Sequence, residues 1–72
     1  MRTARQTAAI KAECKDRNSE VTSTHAWTTE DGLINGAAPA EGTILVNMRN
    51  RAHGTYRTFV VEPNGDTTYM GG

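Results

Sequence analysis

The C-terminal half of the chain alternates strand-like runs with turn signals, and this pattern limits the fold more than any other feature. The runs TILVNMR and TYRTFVVE are rich in β-branched and aromatic residues. The segment EPNGD, which follows the second run and precedes TTYM, has Pro, Asn and Gly in the order of a type I turn with a bulged glycine. Residues 43–70 therefore predict a three-stranded antiparallel meander.

The N-terminal segment predicts a helix. Thr3 and Gln6 have the spacing of a capping box, and good helix formers follow, so we expect residues 3–17 to be helical. Its apolar stripe is short, because at 100° per residue Ile10 and Cys14 share a side mainly with polar residues. Such a helix is expected to pack lightly and to dock fully only in a complex.

The β-branched segment EVTSTHAWTT predicts a further strand, and the Gly-, Ala- and Pro-rich segment NGAAPAEG after it predicts a long loop. The whole chain then forms a small α+β domain in which an N-terminal helix covers an antiparallel sheet of three or four strands. The predicted organisation is one domain over 1–72, with a basic helix at 1–19, a strand at 20–28, a loop at 29–42, a meander at 43–70 and a tail at 71–72.

Composition predicts a thin core. Only ten of the 72 residues are Leu, Ile, Val or Phe, and the formal net charge is zero. The low content of these apolar residues indicates marginal stability, whereas the zero net charge argues against disorder. A single cysteine, Cys14, excludes an intramolecular disulfide and favours a reducing compartment. Because no signal-peptide core or long apolar run is present, we expect a cytoplasmic protein without membrane contact.

The register of the first hairpin decides which side chains share a face of the sheet. A loop at 50–54 with Arg49 opposite Thr55 predicts one mostly apolar, helix-covered face: Ile44, Val46, Met48, Tyr56, Thr58, Val60, Thr68 and Met70. The opposite face then mixes apolar and basic residues: Thr43, Leu45, Asn47, Arg49, Thr55, Arg57, Phe59, Val61, Thr67 and Tyr69. Such an apolar patch beside arginines is typical of a contact surface.

Seven residues of this mixed face and its hairpin tip are the candidate binding residues: Asn47, Arg49, Arg51, His53, Arg57, Phe59 and Tyr69. The alternative is that Trp27 and the Leu33–Ile34 segment cover the second face within the chain. The arginines would then be solvated at its rim, and the hairpin would serve only as scaffold.

Catalytic and metal chemistry have little support in the sequence. One Cys and two His, without paired carboxylates at ligand spacing, match no common zinc or calcium pattern, and no cofactor motif is present. A nucleophilic pair of Cys14 with a histidine is conceivable, but a small apolar residue on the helix stripe is the simpler interpretation. The sequence therefore predicts no enzyme, cofactor or metal.

Two binding functions follow from the mixed face. In the first, the protein is a small regulator or inhibitor that docks on a protein partner through Phe59 and Tyr69, with Arg49 and Arg57 meeting carboxylates. In the second, the hairpin binds nucleic acid: its arginines contact phosphates, Asn47 and Asn50 reach base edges, and Tyr56 or Phe59 stacks on a base. A sequence pI of about 6.7 ranks the second lower. Homodimerisation through the mixed face is compatible with either, and small phage-encoded inhibitors share these general features.

The end of the chain gives a third, minor alternative. Gly71 and Gly72 resemble the tail of ubiquitin-like modifiers and sulfur carriers, and this resemblance covers two residues. It would imply activation of the C-terminus by an adenylating enzyme. Those families begin with a strand hairpin, whereas this chain begins with a predicted helix.

Overall fold

The protein folds as one helix on a four-stranded antiparallel sheet, as the computed structural model shows for residues 2–28, 31–33 and 36–70. The elements are α1 (Ala4–Asp16), β1 (Ser19–Ala26), β2 (Ile44–Asn50), β3 (Tyr56–Val61) and β4 (Thr67–Met70). The strands lie in sheet order β1-β2-β3-β4, so each strand pairs with its neighbour in sequence. The predicted α+β class, the N-terminal helix and the meander are confirmed, whereas the predicted Gly71–Gly72 tail lies outside the described residues.

The helix begins where the capping box predicts. Thr3 is the N-cap: its Oγ1 accepts from the Gln6 backbone N–H at 3.1 Å, and the Thr3 N–H donates to Gln6 Oε1 at 2.8 Å. The helix ends at Asp16, and Asn18 then takes a left-handed φ of 48°. Asparagine tolerates this conformation better than most residues, which allows the chain to turn directly into β1.

Gln6 fastens the helix to the sheet, a role that the sequence pattern does not reveal. Its side chain is fully buried, and Nε2 donates to the carbonyl oxygens of Gly42 at 2.8 Å and Val61 at 3.1 Å. One polar side chain thus satisfies backbone groups on both sides of the helix–sheet contact. The helix is docked in the free chain by this contact as well as by its short apolar stripe.

The hydrophobic core lies between α1 and one face of the sheet. Ile10 packs there on side chains from the two central strands: Val46, Met48, Phe59 and Val61. Phe59 and Val61 are completely buried, and Tyr69 packs against the edge of this cluster. The core is thin, as the composition predicts, and it occupies one side of the sheet.

The predicted register of the first hairpin is wrong by one residue. Arg49 pairs with Tyr56, and the Asn50 N–H donates to the Thr55 carbonyl at 2.7 Å, so β2 continues through Asn50. The Asn50 side-chain oxygen accepts from the backbone N–H groups of Ala52 at 2.9 Å and His53 at 2.8 Å. This turn therefore closes over four residues rather than the predicted five.

A shift of one residue moves every side chain of β3 to the other face of the sheet. The second hairpin keeps its predicted register, with Val61 opposite Thr67, so β4 moves together with β3. Arg57, Phe59, Val61, Thr67 and Tyr69 therefore share the helix-covered face with Val46 and Met48. Phe59 is fully buried, and its prediction as an exposed binding anchor is wrong.

The second face of the sheet contains a buried end and a polar remainder. Leu45 and Val60 pair across β2 and β3 and are buried, although they belong to the face opposite α1. Trp27 is half-buried at this end and donates its backbone N–H to Thr43, whereas the Leu33 side chain is 58% exposed. Leu33 therefore does not cover the second face of the sheet as the alternative prediction required. Ile34, the other residue of that prediction, lies outside the described residues.

Candidate functional site

Folding gathers most of the basic side chains at one end of the molecule, which we call the basic end. This end is formed by the C-terminal half of α1, the start of β1 and the β2–β3 hairpin, which meet where the Arg51 N–H donates to the Asn18 carbonyl at 2.9 Å. Its basic residues are Lys11, Lys15, Arg17, Arg49, Arg51 and Arg57, and its acidic residues are Glu13, Asp16 and Glu20. The formal charge there is 6 − 3 = +3.

The opposite end of the sheet is acidic. Thr3 contacts the β3–β4 turn through a 2.8 Å hydrogen bond to the Pro63 carbonyl, so the N-terminus of α1 lies at this end. Its charged residues among those described are Asp31, Glu41, Glu62 and Asp66, with Arg2 and Arg5, which gives 2 − 4 = −2. The neutral composition therefore conceals two separated charges of opposite sign.

On the helix side, three cations surround one groove of about 430 Å³. Lys11 and Lys15 are one turn apart on α1, and Arg51 reaches the same groove from the hairpin tip. No carboxylate belongs to the described residues that line this groove, which are Lys11, Cys14, Lys15, Asn18, Ser19 and Arg51. The arrangement is suited to an anionic group such as a phosphate.

A second, more polar cleft of about 370 Å³ lies on the other side of Ser19. Its lining residues are Asp16, Arg17, Ser19, Met48, Asn50, His53, Thr55 and Arg57. The guanidinium carbons of Arg17 and Arg57 lie 4.4 Å and 5.9 Å from the centre of the Tyr69 ring, within the range of cation–π contact. The ring thus orients two arginines along the border of the cleft.

Tyr69 is itself held by the helix. Its hydroxyl donates to a Glu13 carboxylate oxygen at 2.7 Å, and the same oxygen is 3.4 Å from Arg17 Nε. Burial, followed by this hydrogen bond and the nearby Glu13 charge, raises the pKa of Tyr69 to about 12. Glu13 is therefore held between Tyr69 and Arg17, and its charge offsets part of the positive charge of Arg17.

The face of the sheet opposite α1 contributes an exposed ring to the basic end. Tyr56 pairs with Arg49 across β2 and β3, and its side chain is 69% exposed. Arg49 lies 3.8 Å from Glu20 on β1 in an exposed ion pair. An exposed aromatic ring beside an arginine on an open sheet is a stacking platform for a flat ligand.

The Asn47 amide, a candidate base-reading group, is instead occupied within this face. Its Nδ2 donates to Ser23 Oγ at 2.9 Å, and its Oδ1 accepts from Thr58 Oγ1 at 2.7 Å. These bonds join three strands through their side chains. Asn47 therefore stabilises the sheet.

The structure divides the remaining candidate residues between three places. Arg51 joins the lysine groove, His53 and Arg57 line the polar cleft, and Arg49 lies with Tyr56 on the open face. Lys11 and Lys15, like Arg2 and Arg5, belong to the N-terminal segment that the sequence predicts as a basic helix. The first pair does join the hairpin, whereas Arg2 and Arg5 lie at the opposite end.

The described residues offer little support for a reactive cysteine or a metal-ion site. Burial raises the pKa of the Cys14 thiol above its usual value and outweighs the opposing effect of Arg51, which disfavours the reactive thiolate. Among residues 2–28, 31–33 and 36–70, no three His, Cys, Asp or Glu side chains lie close enough to share a metal ion. Within the same residues, no helix combines the length and the hydropathy needed to cross a membrane.

Comparisons with protein-family models, with curated proteins and with solved structures give no match for this chain.

Proposed function

We propose that this protein is a small non-enzymatic binding module whose basic end binds single-stranded nucleic acid. The observation that carries the proposal is the gathering of six of the eight Lys and Arg residues at one end of a neutral chain. Phosphates supply most of the affinity of nucleic-acid binding proteins, and clustered Lys and Arg are the residues that hold them. The neutral pI does not oppose this function, since binding depends on the local charge.

Tyr56 is the reason for preferring a single strand to a duplex. An exposed ring on an open sheet face stacks on an unpaired base, and the adjacent Arg49 contributes to the same contact. A duplex hides its base faces and offers this ring nothing to stack on. Stacking without base-edge contacts also predicts weak sequence preference, because the Asn47 amide is already hydrogen-bonded inside the sheet.

The test is binding of a labelled single-stranded oligonucleotide, measured by fluorescence anisotropy over a series of salt concentrations. Neutralisation of about three phosphates by this end predicts that log K falls against log salt with a slope of about −2. Arg51→Gln should weaken binding several-fold and make this slope shallower. Tyr56→Leu should weaken binding about tenfold with little change of slope, because stacking releases no counterions.

Arg2→Gln is the matched control, because it removes the same charge from the acidic end. It should leave the affinity nearly unchanged. If the wild-type protein fails to bind at low salt, or if Arg2→Gln weakens binding as much as Arg51→Gln, the proposal is wrong.

The second candidate function is that of a small regulator or inhibitor that binds a protein partner. The observation that favours it is again the pair of Tyr56 and Arg49, since exposed aromatic and arginine residues are the usual anchors of protein interfaces. In this function Tyr56 replaces the buried Phe59 as the anchor. A complex retained after nuclease treatment, resistant to salt and lost in Tyr56→Leu would favour the partner over nucleic acid.

A further inference from the structure

The edge strand β1 is unusually open. All of its residues except Ser19 are exposed, and Val21 is an apolar side chain with 41% exposure. The helix contacts β1 as well as β3, but only Ser19 of β1 is buried by the fold. The side-chain hydrogen bonds that anchor α1 reach the Val61 carbonyl through Gln6 and the Tyr69 hydroxyl through Glu13. Edge strands are commonly protected from pairing with another chain by Lys, Pro or a β-bulge; β1 carries no Lys or Pro, and its pairing with β2 is irregular between Val21 and Ser23.

The backbone groups of β1 that face away from the sheet can be identified from its pairing with β2. The Trp27 N–H donates to the Thr43 carbonyl, and the Asn50 N–H points instead to Thr55 on β3. Because backbone direction alternates along a strand, the residues of β1 that bond to β2 are Glu20, Ser23 and His25. The residues whose N–H and C=O point outward are Ser19, Val21, Thr24 and Ala26.

These four outward residues form a self-complementary set. Thr22 has no paired residue in the register with β2 and is the extra residue of a bulge, although its hydroxyl donates to the Asn47 carbonyl at 3.2 Å. Val21 and Thr24 are therefore three positions apart where a regular strand would give two. The set is therefore symmetric about the point between Thr22 and Ser23. In a second copy related by a two-fold axis at this point, Ser19 meets Ala26 and Val21 meets Thr24, and every outward residue faces another outward residue.

The side chains are complementary in the same register. Glu20 and His25 belong to the same face, since their β2 partners Arg49 and Leu45 do, and the two-fold axis places Glu20 of one copy opposite His25 of the other. An imidazole N–H donates well to a carboxylate, and the symmetry makes this contact twice. On the helix side, Val21 gains Thr24 of the second copy as a β-branched neighbour.

We propose that β1 is a homodimer interface, at which two copies pair antiparallel across a two-fold axis between Thr22 and Ser23 to form one continuous eight-stranded sheet. This proposal is independent of nucleic-acid binding. It replaces the predicted dimer contact through the mixed face, whose apolar residues Phe59 and Val61 are buried within one chain.

Charge exchange across β1 tests the register, with oligomeric state measured by sedimentation velocity over a concentration series. His25→Glu places a second carboxylate opposite Glu20 in both contacts, and Glu20→Lys places an ammonium group opposite His25. Each variant should weaken self-association about tenfold or more. An equimolar mixture of the two variants should recover the dimer, because each contact then joins opposite charges or a carboxylate with an imidazole.

The controls separate dimerisation from folding. His53→Glu makes the same substitution at the hairpin tip and should leave the dimer intact. Thr24→Pro removes an outward N–H without breaking a bond to β2, so it should give a folded monomer by circular dichroism. A wild-type protein that stays monomeric up to high micromolar concentration, dimers that persist in both charge variants, or a mixture that remains monomeric would each overturn the proposal.

Discussion

Tyr69 is a single side chain on which the helix, the sheet and two arginines converge. Its ring packs 5.4 Å from the buried Phe59 ring, its hydroxyl donates to Glu13, and Arg17 lies over its outer face. The neutral phenol can donate this hydrogen bond, whereas the phenolate would oppose the Glu13 carboxylate. The contact therefore depends on the protonation of one residue.

This dependence predicts a loss of stability at high pH. The pKa of Tyr69 is raised from 10 in the unfolded chain to about 12 in the fold, so its contribution is complete below pH 10 and is lost as the pH rises towards 12. We expect a loss of about 1 to 2 kcal/mol, after allowing for solvent screening at this half-buried site. Urea unfolding of the wild type and Tyr69→Phe should show a stability difference that narrows between these two pH values.

A direct titration completes this test. The chain has two tyrosines, so Tyr56→Phe leaves Tyr69 as the only phenol, and its ultraviolet absorbance reports its ionisation. A midpoint near 10, or a stability difference between wild type and Tyr69→Phe that does not change with pH, would contradict the prediction.

At the scale of elements, the sequence predicts what each segment forms better than how the segments align. The capping box of Thr3 and Gln6 and the EPNGD turn are local signals, and both the helix and the second hairpin follow them. The first hairpin has no such signal. The choice between four and five turn residues depends on which backbone N–H groups donate a hydrogen bond to the Asn50 side-chain oxygen. That one-residue choice decides whether Phe59 lies in the core or on the surface.

The docking of α1 gives a prediction at the same scale. Gln6→Met keeps the side-chain volume but removes the donor to the Gly42 and Val61 carbonyls and the acceptor for the Thr3 N–H. Because these groups are left unpaired at a buried contact, we expect the free energy of unfolding to fall by about 2 to 3 kcal/mol. Urea denaturation measures this, with Thr7→Ala on the exposed side of the helix as control; equal effects of the two changes would refute the role of Gln6.

At the scale of the whole molecule, composition alone could not predict the candidate site. Charge along the sequence is uneven, but the basic end forms only when Lys11 and Lys15 of the helix meet Arg51, forty and thirty-six positions later in the chain. Such proximity depends on tertiary packing, which a sum of charges does not contain. The exposed position of Tyr56 depends in the same way on the register of the hairpin.

The separation of charge predicts that affinity for an anionic strand is governed by one end of the protein and not by its net charge. The two ends are about 20 Å apart along β2, which is more than twice the Debye length of about 8 Å at physiological salt. Neutralising the acidic end with Glu41→Gln and Asp66→Asn raises the net charge by two, yet should change the affinity less than about twofold. Neutralising Lys15 and Arg51 as Gln lowers the net charge by two and should weaken binding about tenfold or more. Anisotropy titrations of both double variants at physiological salt decide whether the basic end or the net charge controls the affinity. Control by net charge requires that the two double variants change the affinity by similar factors in opposite directions.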